Sequence, residues 1–392
     1  MNSQYNEVTH TYRRMLEPRY WIDKIRDGGR KIMDEEEINR FNEISLKKLQ
    51  ARGCIYDCSA IYRQDPDIRY GICVERCDIR RFPSYVPIYG EELNAADRYT
   101  DYGQKTAMLV NEALLVLKES PDRKWYYIRN YYYEGWVEKS KIGICDDYVF
   151  WMECQNMQDF IMVTGDQLLI RYCTSKEGCG REVRCSEITG RCNNYKWISM
   201  GTKLRLVRED ENYIVAMPEL DEDGCIRYQL VTVPRSSDVH VGYLEYTASN
   251  VICQAFKALG NTYGWGGIDG RRDCSAYVME LFRCFGFVFP RDVSCQKYIV
   301  SRNGRNDIKE MGAAEKTKLL DALMPGTILG FEGHTMIYLG KDQGEYYVIS
   351  YVKALYDQNG DHLYNSCLIN SLMARRRNRR TWLESLSYYI AN

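Results

Sequence analysis

A cysteine and a histidine late in the chain have the residue types and settings that acyl transfer needs. Cys274 stands in Asp273-Cys274-Ser275-Ala276-Tyr277, and Tyr277, Val278, Leu281, Phe282 and Phe285 fall on one face of a helix. The spacing therefore starts an amphipathic helix at Cys274. Free backbone N–H groups and the positive end of the helix dipole favour thiolate over thiol there. Such a nucleophile wants an imidazole to take its proton and return it. The chain has four histidines, His10, His240, His334 and His362. His334 opens the second of two predicted strands in Pro325-Gly326-Thr327-Ile328-Leu329-Gly330-Phe331-Glu332-Gly333-His334-Thr335-Met336-Ile337-Tyr338-Leu339. The alternation of His334, Met336 and Tyr338 with Thr335, Ile337 and Leu339 suits a sheet packed on the Cys274 helix. Before the cysteine, glycines 264, 266 and 267 let backbone pass close to a ligand, and Tyr263 and Trp265 can wall a cleft or serve as core aromatics. Asp273 reads equally as a helix N-cap.

The elements that must position this pair are legible in outline, and the fold class is α+β. Val251, Ile252, Ala255, Phe256 and Leu259 predict a helix ended by Gly260. Residues 1–65 read as a helical segment, where Asp34-Glu35-Glu36-Glu37 has capping-box spacing and Ile38, Phe41 and Leu46 supply an apolar stripe. Packing without chemistry is expected of that segment. Residues 66–150 turn to short strands, among them Tyr70–Val74, Ala113–Leu117, Lys124–Ile128 and Gly135–Val137, which suits a small barrel or sandwich. Residues 151–247 hold a second strand series, less regular, including runs at 160–164, 204–207, 213–216 and 241–244. A stretch with Cys173, Cys179, Cys185 and Cys192 interrupts it. Gaps of five, five and six residues are wide for zinc knuckles, so free thiols, local disulfides and a zinc knot all stay open. Residues 248–392 hold the cysteine–histidine pair.

Composition narrows the function classes. With 53 Lys+Arg against 54 Asp+Glu, the net charge of −1 provides no global field for nucleic acid or an anionic membrane. No apolar run approaches the ~20 residues that span a bilayer. The start, MNSQYNEVTHTYRRMLEPRY, lacks the basic-then-apolar plan of a secretory leader. That slightly favours the cytoplasm, with a secreted or wall-associated form as the alternative. Sixteen cysteines in a chain able to bury a large core are expected to be mostly reduced, and their number does not select a nucleophile. Arg375-Arg376-Arg377-Asn378-Arg379-Arg380 reads as a solvated turn, and Asp221-Glu222-Asp223-Gly224 as a hairpin turn.

A helix-terminal cysteine facing a strand histidine is the papain-like arrangement. Leu259-Gly260, Tyr263, Trp265-Gly266-Gly267, Asp273-Cys274-Ser275, Pro290-Arg291-Asp292, Pro325-Gly326 and Gly333-His334, in that order, closely resemble the NlpC-type cell-wall cysteine peptidases over the last 145 residues. The upstream part is similar to multidomain members that carry N-terminal bacterial SH3-type domains. The resemblance implies a papain-like catalytic domain, preceded by a small helical segment and two SH3-type barrels. It also implies an endopeptidase that hydrolyses the γ-D-glutamyl–diamino acid bond of peptidoglycan stem peptides. Cys274 would be the nucleophile and His334 the base and then the acid. Asp273 and Ser275 would hold the free amino terminus of an L-Ala-D-Glu segment, with a barrel closing one end of the cleft. Relatives place a third polar residue, often histidine, one strand after the catalytic one. In Glu345-Tyr346-Tyr347-Val348-Ile349-Ser350 the matching position is Ser350, which accepts a hydrogen bond from imidazole but brings no charge. Ala276 replaces a usual glycine with little expected effect. The implied partners are peptidoglycan-derived peptides, not nucleic acid or membrane, and the chemistry needs no metal and no organic cofactor. Two other readings stand beside it: a weakly active or inactive wall-binding protein on the same fold, and an amidase or acyltransferase.

Overall fold

Asp34 opens helix α1 (Glu35–Ala51) with both halves of a capping box. Its Oδ1 accepts the Glu37 N–H at 2.8 Å, and Glu37 Oε2 accepts the Asp34 N–H at 3.0 Å. The computed structural model describes residues 5–58, 67–90, 100–172, 194–299, 307–357 and 359–391. The cysteine stretch 173–192 lies outside them. The chain divides into two compact units, one of residues 1–55, 88–102 and 244–392, the other of 56–87 and 103–243.

In the first unit α1 lays its apolar stripe on the core that carries Cys274. Phe41 meets Phe287 edge-on with ring centroids 5.3 Å apart. Asn42 spans a backbone turn, donating to the Gly286 carbonyl at 2.9 Å and accepting the Val288 N–H at 3.0 Å. Helix α2 (Ala248–Phe256) begins at a Thr247 cap, and Gly260 follows it with φ +85°, a conformation open to glycine. Helix α3 (Cys274–Arg283) is buried at every position but its last, Arg283. Tyr277, Val278, Leu281 and Phe282 are 0% exposed, and burial of each apolar side chain stabilises by roughly 1.5–3 kcal/mol.

α3 packs on a five-stranded sheet of strands β1 (Ile328–Phe331), β2 (His334–Asp342), β3 (Glu345–Asp357), β4 (Gly360–Ser371) and β5 (Tyr388–Ile390). Every pair is antiparallel, in the order β4-β3-β2-β1-β5. Glu332 and Gly333 form the tight β1–β2 turn, with Gly333 at φ +82°, so Phe331 pairs with His334 and Gly330 with Thr335. Across the next ladder Gly330 pairs with Tyr388. Adding a Cβ at Gly330 would drive it into the Tyr388 ring, so glycine is what lets Tyr388 lie across β1.

The second unit is almost entirely β. A seven-stranded antiparallel sheet contains Arg69–Cys73, Ala113–Glu119, Trp125–Arg129 and Glu134–Glu138, which correspond to the four strands read from sequence. A five-stranded sheet contains Phe160–Val163, Lys203–Glu209, Asn212–Leu220, Ile226–Pro234 and Val239–Val241. Asp221–Gly224 makes the hairpin turn between its two longest strands, with Asp221 Oδ1 accepting the Asp223 and Cys225 amides. No helix among the described residues is long and apolar enough to cross a membrane.

Candidate active site

Two buried ion pairs fix the loop that leads into α3. Arg272 Nε meets Glu280 Oε2 at 2.6 Å, and Arg291 Nη2 meets Asp273 Oδ2 at 2.5 Å. Asp273 is the N-cap of α3, its Oδ1 accepting the Ala276 N–H at 2.9 Å, while Oδ2 also takes the Gly266 N–H at 3.0 Å. Gly266 and Gly267 turn at φ +60° and +77°, which brings that amide within reach. Arg291 Nη1 donates to Ser275 Oγ at 2.8 Å, and Gln296 holds the Ser275 carbonyl. Burial by itself would raise the Asp273 pKa, but Arg291 and the two amides outweigh it and hold the carboxyl below its usual range. The resemblance expects Asp273 and Ser275 to receive a substrate ammonium. Here both side chains are engaged with Arg291, an arrangement that also braces the turn presenting Cys274.

The thiol lies against the first residues of β2, where the Thr335 N–H, next to His334, and its own neighbour Ser275 N–H point at it. Those donors favour thiolate, as a helix start should. They are outweighed by burial and then by the Asp273 charge, which push the Cys274 thiol up to about 12. Burial thus opposes the helix-end field that the sequence reading relied on at this sulfur. His334 Nε2 lies 2.9 Å from Ser350 Oγ, and Ser350 is 0% exposed. The imidazole packs against the rings of Phe331 and Trp382, with centroids at 5.3 and 4.9 Å. Burial, and then the Arg376 charge, lower its pKa to about 3. Among the described residues no hydrogen bond joins the thiol and the imidazole. Catalytic contacts of this kind commonly tighten only with substrate in place. His362 is spent elsewhere, 3.0 Å from Asp357.

Two expected results arise from this geometry. Because His334 is neutral when folded but takes a proton near pH 6.5 when unfolded, the unfolded state binds more protons between about pH 6.5 and 3. Stability should be full above pH 6.5 and fall as pH drops through that window, by about 2 kcal/mol between pH 7 and 5. Urea midpoints at the two pH values measure it, and His334→Gln should remove that share of the loss. Ser350→Ala deletes one hydrogen bond to the ring, worth about 0.5–1.5 kcal/mol, so kcat should fall roughly three- to tenfold. Ser350→His should meet or exceed the parent rate; equal rates for all three would detach Ser350 from the reaction.

Tyr263 and Trp265 converge on a side chain that sequence reasoning missed. Lys353 Nζ stands 4.6 Å from the Trp265 ring centroid and 5.5 Å from that of Tyr263. It also donates to Thr100 Oγ1 at 2.7 Å, and Tyr102 meets Trp265 edge-on at 6.0 Å. Trp265 keeps 38% of its surface, more than a core aromatic would. Tyr388 was also missed. Its ring crosses Gly330 to reach Thr335 and the vicinity of Cys274, and its buried hydroxyl has no well-formed hydrogen bond among the described residues. The glycine in β1 was the available signal. No group of histidine, cysteine and acidic side chains among the described residues is arranged to hold a metal.

Comparison with known proteins gives two family matches and a shared fold. Residues 260–387 match the NlpC/P60 family and residues 87–138 match an SH3 domain of the SH3b1 type. Among solved structures, an NlpC/P60 endopeptidase from Photobacterium damselae subsp. piscicida superposes with a TM-score of 0.65 at 18% identity, covering 100% of this chain and 88% of that one. An NlpC/P60 family protein from Bacillus cereus gives a TM-score of 0.55 at 16% identity, covering 82% of this chain and 98% of that one. No curated protein sequence matches the chain.

Proposed function

We propose that this chain, whose C-terminal domain belongs to the NlpC/P60 family of cysteine peptidases, hydrolyses the γ-D-glutamyl–diamino acid amide bond of peptidoglycan stem peptides. The observation that carries the reading is the placement of Cys274 at the start of α3 against β2, with His334 held by Ser350 on the same strand pair. With the Nε2–H donated to Ser350, Nδ1 keeps its lone pair and is the base. Burial raises the thiol and lowers the imidazole, which favours passing the proton from sulfur to Nδ1 as the carbon–sulfur bond forms. Nδ1 takes that proton and then passes it to the departing amine as the carbon–nitrogen bond breaks. Water, deprotonated by the same nitrogen, cleaves the thioester and frees the D-glutamyl carboxylate. Asp273 is occupied by Arg291, so a free L-Ala amino group would find its counter-charge elsewhere.

Incubation with L-Ala-γ-D-Glu-meso-diaminopimelate tests the reading. Release of L-Ala-D-Glu by the intact chain supports it. Tight binding with no product would instead favour a wall-peptide-binding protein, a second reading favoured by the uncharged Ser350 and the deeply buried thiol. Turnover confined to sugar-linked or acetylated amides would point to an amidase or acyltransferase.

A further inference from the structure

Arg376 belongs to the arginine run that reads from sequence as a solvated turn, and the fold puts that run beside the histidine. The turn is closed by its own backbone, the Arg376 N–H donating to the Arg380 carbonyl at 2.9 Å and the Arg379 N–H to the Arg376 carbonyl at 2.8 Å. Three of its other arginines are tied to backbone oxygens, Arg375 to the Arg379 carbonyl, Arg379 to that of Asp357 and Arg380 to that of Glu384, while Arg377 is exposed. Arg376 points the other way. Its Cζ lies 4.3 Å from the centroid of Phe331, the cross-strand partner of His334, and the Phe331 and His334 rings are 5.3 Å apart. A guanidinium has five N–H donors, yet its side chain's one hydrogen bond among the described residues goes to the Glu332 carbonyl at 3.3 Å, and it forms no ion pair there. A half-buried cation with most of its donors unspent is suited to a planar carboxylate.

The chemistry says on which side of the cleaved bond that carboxylate sits. The sulfur bonds to the acyl carbon and the imidazole protonates the leaving nitrogen, so groups around His334 face the amine-side residue. We infer that Arg376 is a specificity-determining residue that grips a carboxylate of the amine-side amino acid and thereby selects diaminopimelate over lysine. In a stem tetrapeptide, diaminopimelate keeps a free side-chain carboxylate where lysine has only an ammonium end. The inference rests on the murein-peptide reading of the same site and adds the identity of the residue beyond the cut.

The test uses the full chain and three tetrapeptides, L-Ala-γ-D-Glu-X-D-Ala, with X as meso-diaminopimelate, its side-chain amide, or L-lysine. The intact chain should show kcat/KM about tenfold higher for the acid than for either of the others. Arg376→Gln should bring the acid-to-amide ratio to within about twofold of unity, and Arg376→Lys should restore part of it. Calorimetric affinities of the Cys274→Ala chain for the same peptides read the preference without turnover. If nothing is cut but the tenfold affinity difference is present, the hydrolase reading falls and the role of Arg376 stands. Equal affinity for acid and amide, or a ratio untouched by Arg376→Gln, overturns the inference whether or not the bond is cleaved.

Discussion

Arg291→Met is expected to destabilise the unit that carries Cys274 by about 3–5 kcal/mol, the usual cost of stranding one member of a buried ion pair. The side chains of Arg291 and Asp273 keep 3% and 11% of their surface, so water cannot replace the lost guanidinium. Asp273 would be left with two amide donors and the Ser275 hydroxyl but no counter-charge, and Ser275 would lose the Arg291 donor. The urea midpoint of the unit measures the loss. Adding Asp273→Asn should recover part of it, because the orphaned charge disappears while a side-chain oxygen still caps α3. A loss below about 1 kcal/mol would mean that the loop before Cys274 is held by its backbone alone.

Cys274→Ala should reduce hydrolysis of the stem peptide by at least about 10⁴-fold while leaving the midpoint within about 1 kcal/mol of the parent. In the proposed reaction the sulfur is the attacking group, and losing one small buried atom costs little packing. Cys274→Ser should be nearly as inactive, since a hydroxyl starts from a higher pKa than the thiol and meets the same burial and the same Asp273 charge. A residual rate within tenfold of the parent would place the nucleophile elsewhere.

What could be read from sequence depended on how far apart the interacting residues lie. The α1 capping box, the helix beginning at Cys274 and the strand beginning at His334 are local patterns, visible within a dozen residues. Ser350 was found through the family's strand order, and it does reach the imidazole. The helix-end field at Cys274 is local and legible, whereas the burial that opposes it is set by the sheet packed on it. Asp273 and Arg291 are 18 residues apart, and nothing in the spacing says that one consumes the other. The Tyr388 ring over Gly330 depends on the β1–β5 register, and the placement of Arg376 on a turn that closes only in three dimensions. Lys353 lies half-buried in a long strand, and nothing local to it marks Trp265 or Tyr263 as its neighbours.

The path of the chain between the two units has a practical corollary for anyone dissecting the molecule. Residues 88–102 are interposed between stretches of the β-rich unit yet group with the one that holds the thiol, and they bring Thr100 and Tyr102 to Lys353 and Trp265. A recombinant fragment begun at Leu244 would therefore forfeit both, together with the Phe41 and Asn42 buttress from α1. Excision at a single junction yields a truncated enzyme core with one rim of its aromatic wall missing. Grafting 88–102 back through a short designed linker is the more faithful minimal version.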